Sequence, residues 1–395
     1  MSEEVVEAPN KGKERRKNRI RFEWLDQFRG IVIVLFIVQT FAYMFSDIIA
    51  LPPMVNHGYK YINFGDGVPK IITLIDLGQS IFIFLVGFMQ AFTVMKRFQK
   101  TDSRWKVLGH VAFRALLVWV LAFLHWLIAE ILDDSPGINF SGWKGFVYTG
   151  TLAVIALSGL IAGIVALIFK NGDVRFWLGF GLMICTTVLW YLIENQYWLP
   201  NPPYAIVGGE IVYASFERLP DILSSLGHVE VAIIGGAIAG WVLNADGTIN
   251  DENWKKRVLP LAFGFMTLSF VSWFIQWADH HKANMSLTTM TIGFSAFMIF
   301  AFYKMQKVNF RIPILSPLGK NMLLVFLLSM VINEVVYADM VLKNFDLIGM
   351  GGWYGPILDL ILAGVVPIML MWAIVYPLHK YNIIIKISWP IRSKN

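Results

Sequence analysis

Trp24-Leu25-Asp26-Gln27-Phe28-Arg29-Gly30 runs without a break into the apolar Ile31–Phe45, and Thr73-Leu74-Ile75-Asp76-Leu77-Gly78-Gln79 runs into Ser80-Ile81-Phe82-Ile83-Phe84-Leu85-Val86-Gly87-Phe88. Each stretch joins a polar opening to enough apolar residues for a membrane-spanning helix. Residues 24–90 therefore read as two spans joined by a polar loop on the far side. Ionisable groups at the edges of such spans are expensive in a bilayer and mark a site by default.

The composition extends this reading to the whole chain. Of 395 residues, 56% are hydrophobic and 15% charged, with a mean hydropathy of +0.59. Soluble domains carry about 25% charged residues. The deficit is spread along the chain, which excludes a soluble domain on a single anchor. The net charge of +6 reflects loop bias in a membrane protein, so no nucleic-acid partner is expected. The one cysteine, Cys185, cannot form an internal disulfide and is expected to be a buried thiol.

The expected fold is all-α, a polytopic bundle of about ten transmembrane helices, at 27–48, 71–95, 107–131, 147–169, 175–194, 229–244, 258–277, 286–304, 317–337 and 355–378. Residues 1–21, rich in Lys and Arg, read as a disordered basic tail, and no cleavable signal peptide is visible. Residues 22–380 form the membrane domain. Residues 381–395 read as a cytoplasmic interfacial segment. Of the 33 lysines and arginines, six (Lys60, Lys70, Lys144, Arg218, Lys282 and Lys343) fall in the loops expected outside. That asymmetry predicts both termini in the cytoplasm. Without a sorting signal, the plasma membrane is favoured. No internal repeat stands out.

At the inner mouth, Asp26 and Arg29 share a helix face. Arg29 can bind a phosphate bidentately, or it is a local ion pair. Arg114 lies deeper than snorkelling explains and calls for a partner: Asp76, another acid or an anionic ligand. Lys320-Asn321 open the ninth span at the same face. Towards the outer side lie Gln39, His57, Asp66, Asp76, His125, Glu130, His228, Glu230, Asn284, Asn333 and Glu334, with Asp279-His280-His281 at a helix end. Histidines and carboxylates suit general acid–base work; singly, each is more often a satisfied polar contact. No HExxH or CxxC occurs, so no metal is expected. Walker A, GxGxxG and GxSxG patterns are also missing.

Taken together, Leu25-Asp26-Gln27-Phe28-Arg29-Gly30, Leu74-Ile75-Asp76-Leu77, Arg114-Ala115-Leu116-Leu117, the glycine-rich Leu223–Gly240, Asn284-Met285-Ser286-Leu287-Thr288 and Leu318-Gly319-Lys320-Asn321-Met322-Leu323 resemble, in order, the transmembrane acyltransferase family of heparan-α-glucosaminide N-acetyltransferase and its prokaryotic relatives. The likeness spans most of residues 22–378. It implies acetyl-CoA as cytoplasmic acyl donor, with a sugar amine or hydroxyl of an exported glycan or glycolipid as acceptor. Asp26, Arg29, Arg114, Lys320 and Asn321 would then hold the cofactor. Membrane lipids surround the chain, and a homodimer is left open. The family's catalytic histidine precedes the aspartate matched by Asp76. Counting back without a gap reaches Asp66, and the nearest histidine is His57. Gln39 matches a family asparagine and can donate to an oxyanion. The catalytic set implied is His57, Asp66, Gln39 and Asp76, with His57 or Asp66 as base, or the activity lost. Two other readings stay open: a non-catalytic binder of acyl-CoA or lipid, and a transporter or flippase, which predicts broken helices and paired polar groups in mid-membrane.

Overall fold

The computed structural model describes residues 22–44, 72–132 without 75 and 102, 151–194, 204–207, 210–213, 219–275, 283–329, 332 and 361–383. Its helices are α1 (Glu23–Met44), α2 (Gly78–Phe98), α3 (Arg104–Leu132), α4 (Thr151–Ile168), α5 (Gly172–Glu194), α6 (Leu219–Val242), α7 (Leu259–Trp273), α8 (Met285–Lys307), α9 (Leu315–Lys320), α10 (Met322–Ser329) and α11 (Val366–Lys380). Single π-helical turns, Trp254–Val258 and Ile361–Val365, lead into α7 and α11. Among the described residues, six helices are long and apolar enough to cross a membrane: α2, α3, α4, α5, α6 and α8. The protein is a helical membrane bundle.

One small element interrupts the helical plan. Strands β1 (Tyr204–Val207) and β2 (Glu210–Tyr213) pair antiparallel, Tyr204 opposite Tyr213 and Val207 opposite Glu210. β-Branched and aromatic residues flanking Gly208-Gly209 are a hairpin signal, and the aromatic loop around them hid it.

Burial ranks the helices. In α6, 83% of the apolar window is buried, against 22% in α3. Helix α6 is therefore central, while α3 offers Leu116, Trp119, Val120 and Phe123 to its surroundings, as expected of a lipid-facing helix. Helix α6 also begins at Leu219, ten residues before the expected span at 229. Its first turns carry Pro220, Ser224, Ser225 and His228, which depress hydropathy. Ser225 and His228 are nevertheless buried, packed against protein rather than lipid. The glycines of α6 serve close packing: a Cβ on Gly235 would collide with the Phe84 carbonyl of α2, and one on Gly87 with that of Ala232. Cys185 departs from expectation. It is exposed on α5, on a helix whose apolar face turns outwards and where a thiol costs little.

Charge is segregated along the bundle axis. Arg29 near the start of α1, Lys96 and Arg97 at the end of α2, Arg104 and Lys106 at the start of α3, Lys255, Lys256 and Arg257 before α7, and Lys304 and Lys307 at the end of α8 mark one end. Cross-contacts tie this end together. Arg257 pairs with Asp173 at 2.6 Å, Trp241 Nε1 donates to Asp173 at 2.8 Å, Lys307 pairs with Asp251, and Arg311 pairs with Glu23 at 3.1 Å. An aromatic group fastens α1 to α8 there. Trp254 stacks on Tyr303 with centroids 5.3 Å apart, and Trp24 meets Trp254 edge-on at 6.0 Å. Such pairs contribute about 0.5–1.5 kcal/mol each beyond simple burial.

Candidate functional site

The opening of α1 is locked before it reaches its charged pair. Trp24, Leu25 and Phe28 are buried, the Trp24 N–H donates to Gln306 Oε1 at 3.0 Å, and Gln27 Oε1 accepts from the Ile312 N–H at 3.0 Å. Between these anchors, Asp26 is buried and Arg29 Nη1 lies 3.5 Å from its Oδ1. The expected i,i+3 pair is present.

Two glycines bring the sequence-distant half of the predicted site alongside it. A Cβ on Gly30 would overlap the Leu315 carbonyl, and a Cβ on Gly319 would overlap the Asp26 carbonyl. Backbone thus meets backbone between α1 and α9, which places Lys320 and Asn321 next to Asp26 and Arg29. Asn321 leaves helical geometry at φ −117° and ψ 35°, so the expected ninth span is broken into α9 and α10. The Asn321 amide is buried and donates to the Ile383 carbonyl at 3.3 Å. This contact anchors the end of α11 and is a structural use of a residue expected to hold cofactor.

Arg114 lies ten residues into α3, roughly 15 Å along the helix. Its Nη1 donates to Gln90 Oε1 at 3.4 Å. Gln90 is itself buried and pressed by α4, where a Cβ on Gly163 would come within 3.0 Å of its Nε2. The partner is thus an amide. Asp76, one of the acids considered for Arg114, is occupied elsewhere. Arg29 and Arg97 lie near enough to act electrostatically on Arg114. His110, one turn before Arg114, feels Arg97 and Arg114; the residue is 3% exposed and among the described residues its Nδ1 has no hydrogen-bond partner. Among the described residues neither Arg97 nor Arg114 has a carboxylate partner. Arg114, with Arg29 and Arg97 in electrostatic reach and a buried amide and imidazole beside it, can help hold a multiply charged anion.

Sequence reasoning found Arg29 and Arg114 but not Gln90, Arg97 or His110. Gln90 was findable, since an amide in an apolar span asks for a partner. Arg97, in the last turn of α2, has the position of ordinary helix-end charge, and His110 becomes informative only through its spacing of four from Arg114.

The opposite end carries the other half of the prediction. Asp76 Oδ2 accepts from the Thr73 N–H and from Thr73 Oγ1, both at 3.0 Å. The Asp76 N–H donates back to Thr73 Oγ1 at 3.4 Å. These reciprocal bonds have the pattern of a capping box within the turn that precedes α2, a local role for a residue expected in catalysis. His57, Asp66, Asn333, Glu334 and Asp279-His280-His281 lie outside the described residues, as do the side chains of Gln39, His125 and Glu130. His228 and Glu230 are both buried. Two residues apart on a helix, they face different ways and form no pair. Asn284 caps α8, its Oδ1 accepting from the Leu287 N–H at 3.3 Å.

Neither a family model nor a curated protein matches the sequence.

Proposed function

We propose that the protein is an integral membrane acyltransferase that takes an acyl group, acetyl in the simplest case, from acyl-CoA at the basic end of the bundle. The acceptor is a sugar amine or hydroxyl of an exported glycan or glycolipid at the opposite end. In this reading the chain crosses the membrane about ten times, with both termini and the basic end in the cytoplasm.

The observation that carries the reading is the convergence of Arg29, Arg97 and Arg114 at one end, two of them without a carboxylate partner among the described residues. A guanidinium kept deep in an apolar bundle is retained for an anion, and CoA supplies several phosphate charges. Gln90 orients Arg114; Asp26 orients Arg29. Lys320, brought in by the Gly30 and Gly319 contacts, adds a cation at the rim. The acceptor nitrogen or oxygen then attacks the thioester carbonyl, its proton passes to His57 or Asp66, the C–S bond breaks and CoA leaves as the thiolate. Gln39 would steady the oxyanion.

Transfer from labelled acetyl-CoA in sealed vesicles of known orientation tests this. The account expects label on a glycan or glycolipid only when the donor faces the basic end. Label that stays on the donor with every acceptor class overturns it.

A transporter or flippase is the second reading, favoured by the helix break at Asn321, since discontinuous helices form transporter sites. Substrate movement across vesicles without any covalent transfer would favour it.

A further inference from the structure

Glu230 is the most deeply buried ionisable side chain described on α6. It is 0% exposed and stands where three helices meet. Its Oε2 lies 2.9 Å from the Thr186 hydroxyl of α5, and the Thr288 hydroxyl of α8 is the second polar group set against it. That hydroxyl donates to the Met285 carbonyl at 3.4 Å, and among the described residues the buried Glu230 Oε1 has no hydrogen-bond partner.

Among the described residues, the helices around Glu230 supply no positive charge at this level. Helix α4 carries no titratable residue. On α5, Arg175 lies roughly 17 Å of helix from Thr186, and on α8 Lys304 lies roughly 24 Å from Thr288. Arg175 is also turned away, donating to the carbonyls of Gly236, Lys170 and Asn171. On α2, Lys96 and Arg97 belong to the basic end, and Asp76 is bound to Thr73. Cys185 and Tyr191 are on the outer surface of α5. Tyr303 is tied to Asp251 at the basic end. His228, two residues along α6, faces another way.

A carboxylate stripped of water, with one oxygen lacking a donor and no cation beside it among the described residues, is not a tenable resident of a membrane bundle. The hydrogens point the same way. The Thr186 hydroxyl has one hydrogen and stands between Glu230 Oε2 and the Met183 carbonyl at 3.0 Å. A neutral Glu230 adds a second hydrogen, which it can give to Thr186 Oγ1 while Thr186 serves Met183.

We propose that Glu230, Thr186 and Thr288 form an internal proton site in which Glu230 is held as the carboxylic acid, hydrogen-bonded to Thr186, between α5, α6 and α8. The ligand of this site is a proton. The inference does not rest on the acyltransferase reading and survives its failure.

Infrared difference spectroscopy of the purified full-length protein at neutral pH tests it. Wild type minus Glu230→Gln is expected to show the C=O band of one un-ionised carboxylic acid, unchanged when Na⁺ replaces choline in the buffer. In Thr186→Val, with Glu230 in place, that band is expected to shift towards the position of an acid without a hydrogen bond. This variant decides the matter even if Glu230→Gln does not fold. Carboxylate bands in place of the acid band overturn the proposal. An acid band lost on adding Na⁺ also overturns it, in favour of a metal-cation site, and so does a band indifferent to Thr186→Val.

Discussion

Gly319 approaches the Asp26 carbonyl so closely that no side chain fits between them. Four residues earlier, Leu315 stands in the same relation to Gly30. Two motifs nearly three hundred residues apart are thereby pressed together backbone to backbone, and the charged pair Asp26–Arg29 acquires Lys320 as a neighbour. Overpacking such a contact costs about 1–3 kcal/mol. Gly30→Val and Gly319→Val are each expected to lower the thermal midpoint in detergent and to weaken acyl-CoA binding in parallel. A Gly319→Val protein with unchanged midpoint and affinity would show that the contact does not matter.

The capping box gives a second prediction. Thr73→Val and Asp76→Ala each remove part of one reciprocal arrangement, so each is expected to cost about 1 kcal/mol. The double variant should cost little more than either alone. Additive losses would indicate that Asp76 has a separate and larger role.

A third concerns acid. Hydrogen bonds from Lys307 and then Tyr303 hold the Asp251 carboxyl below its ordinary value. A carboxyl depressed by folding stabilises the fold above its unfolded pKa, and that contribution is lost as pH falls through the folded value. The tie is therefore intact at neutral pH and is expected to fail only in acid, below about pH 4. Asp251 is exposed, so the effect is small. Asp251→Asn should lower the neutral-pH midpoint slightly and flatten its acid-side decline; an unchanged acid-side slope would contradict this.

Hydropathy sufficed to find the helical bundle, because each expected span has helix in its described part and six of the described helices are long and apolar enough to cross a membrane. It failed where burial against protein replaces burial in lipid. Ser225 and His228 of α6 are polar yet buried, and the surface carrying Cys185 is apolar yet exposed. The break at Asn321 also escaped notice, since Leu315–Ser329 is apolar throughout except for Ser316, Lys320, Asn321 and Ser329. Within the candidate site, Asp26, Arg29 and Arg114 were legible as charges in costly places. Their convergence was not, because it depends on two glycine contacts and on Gln90, which one-dimensional spacing does not reveal.

The central claim is that the arginine group at the basic end binds acyl-CoA, and calorimetric titration of acetyl-CoA into the purified protein tests it most directly. The account predicts saturable binding that weakens at least about tenfold, roughly 1.4 kcal/mol, in Arg114→Ala and in Arg97→Ala, with the fold of both verified by an unchanged elution profile. Folded wild-type protein that binds no acetyl-CoA, or binding indifferent to both substitutions, would contradict it.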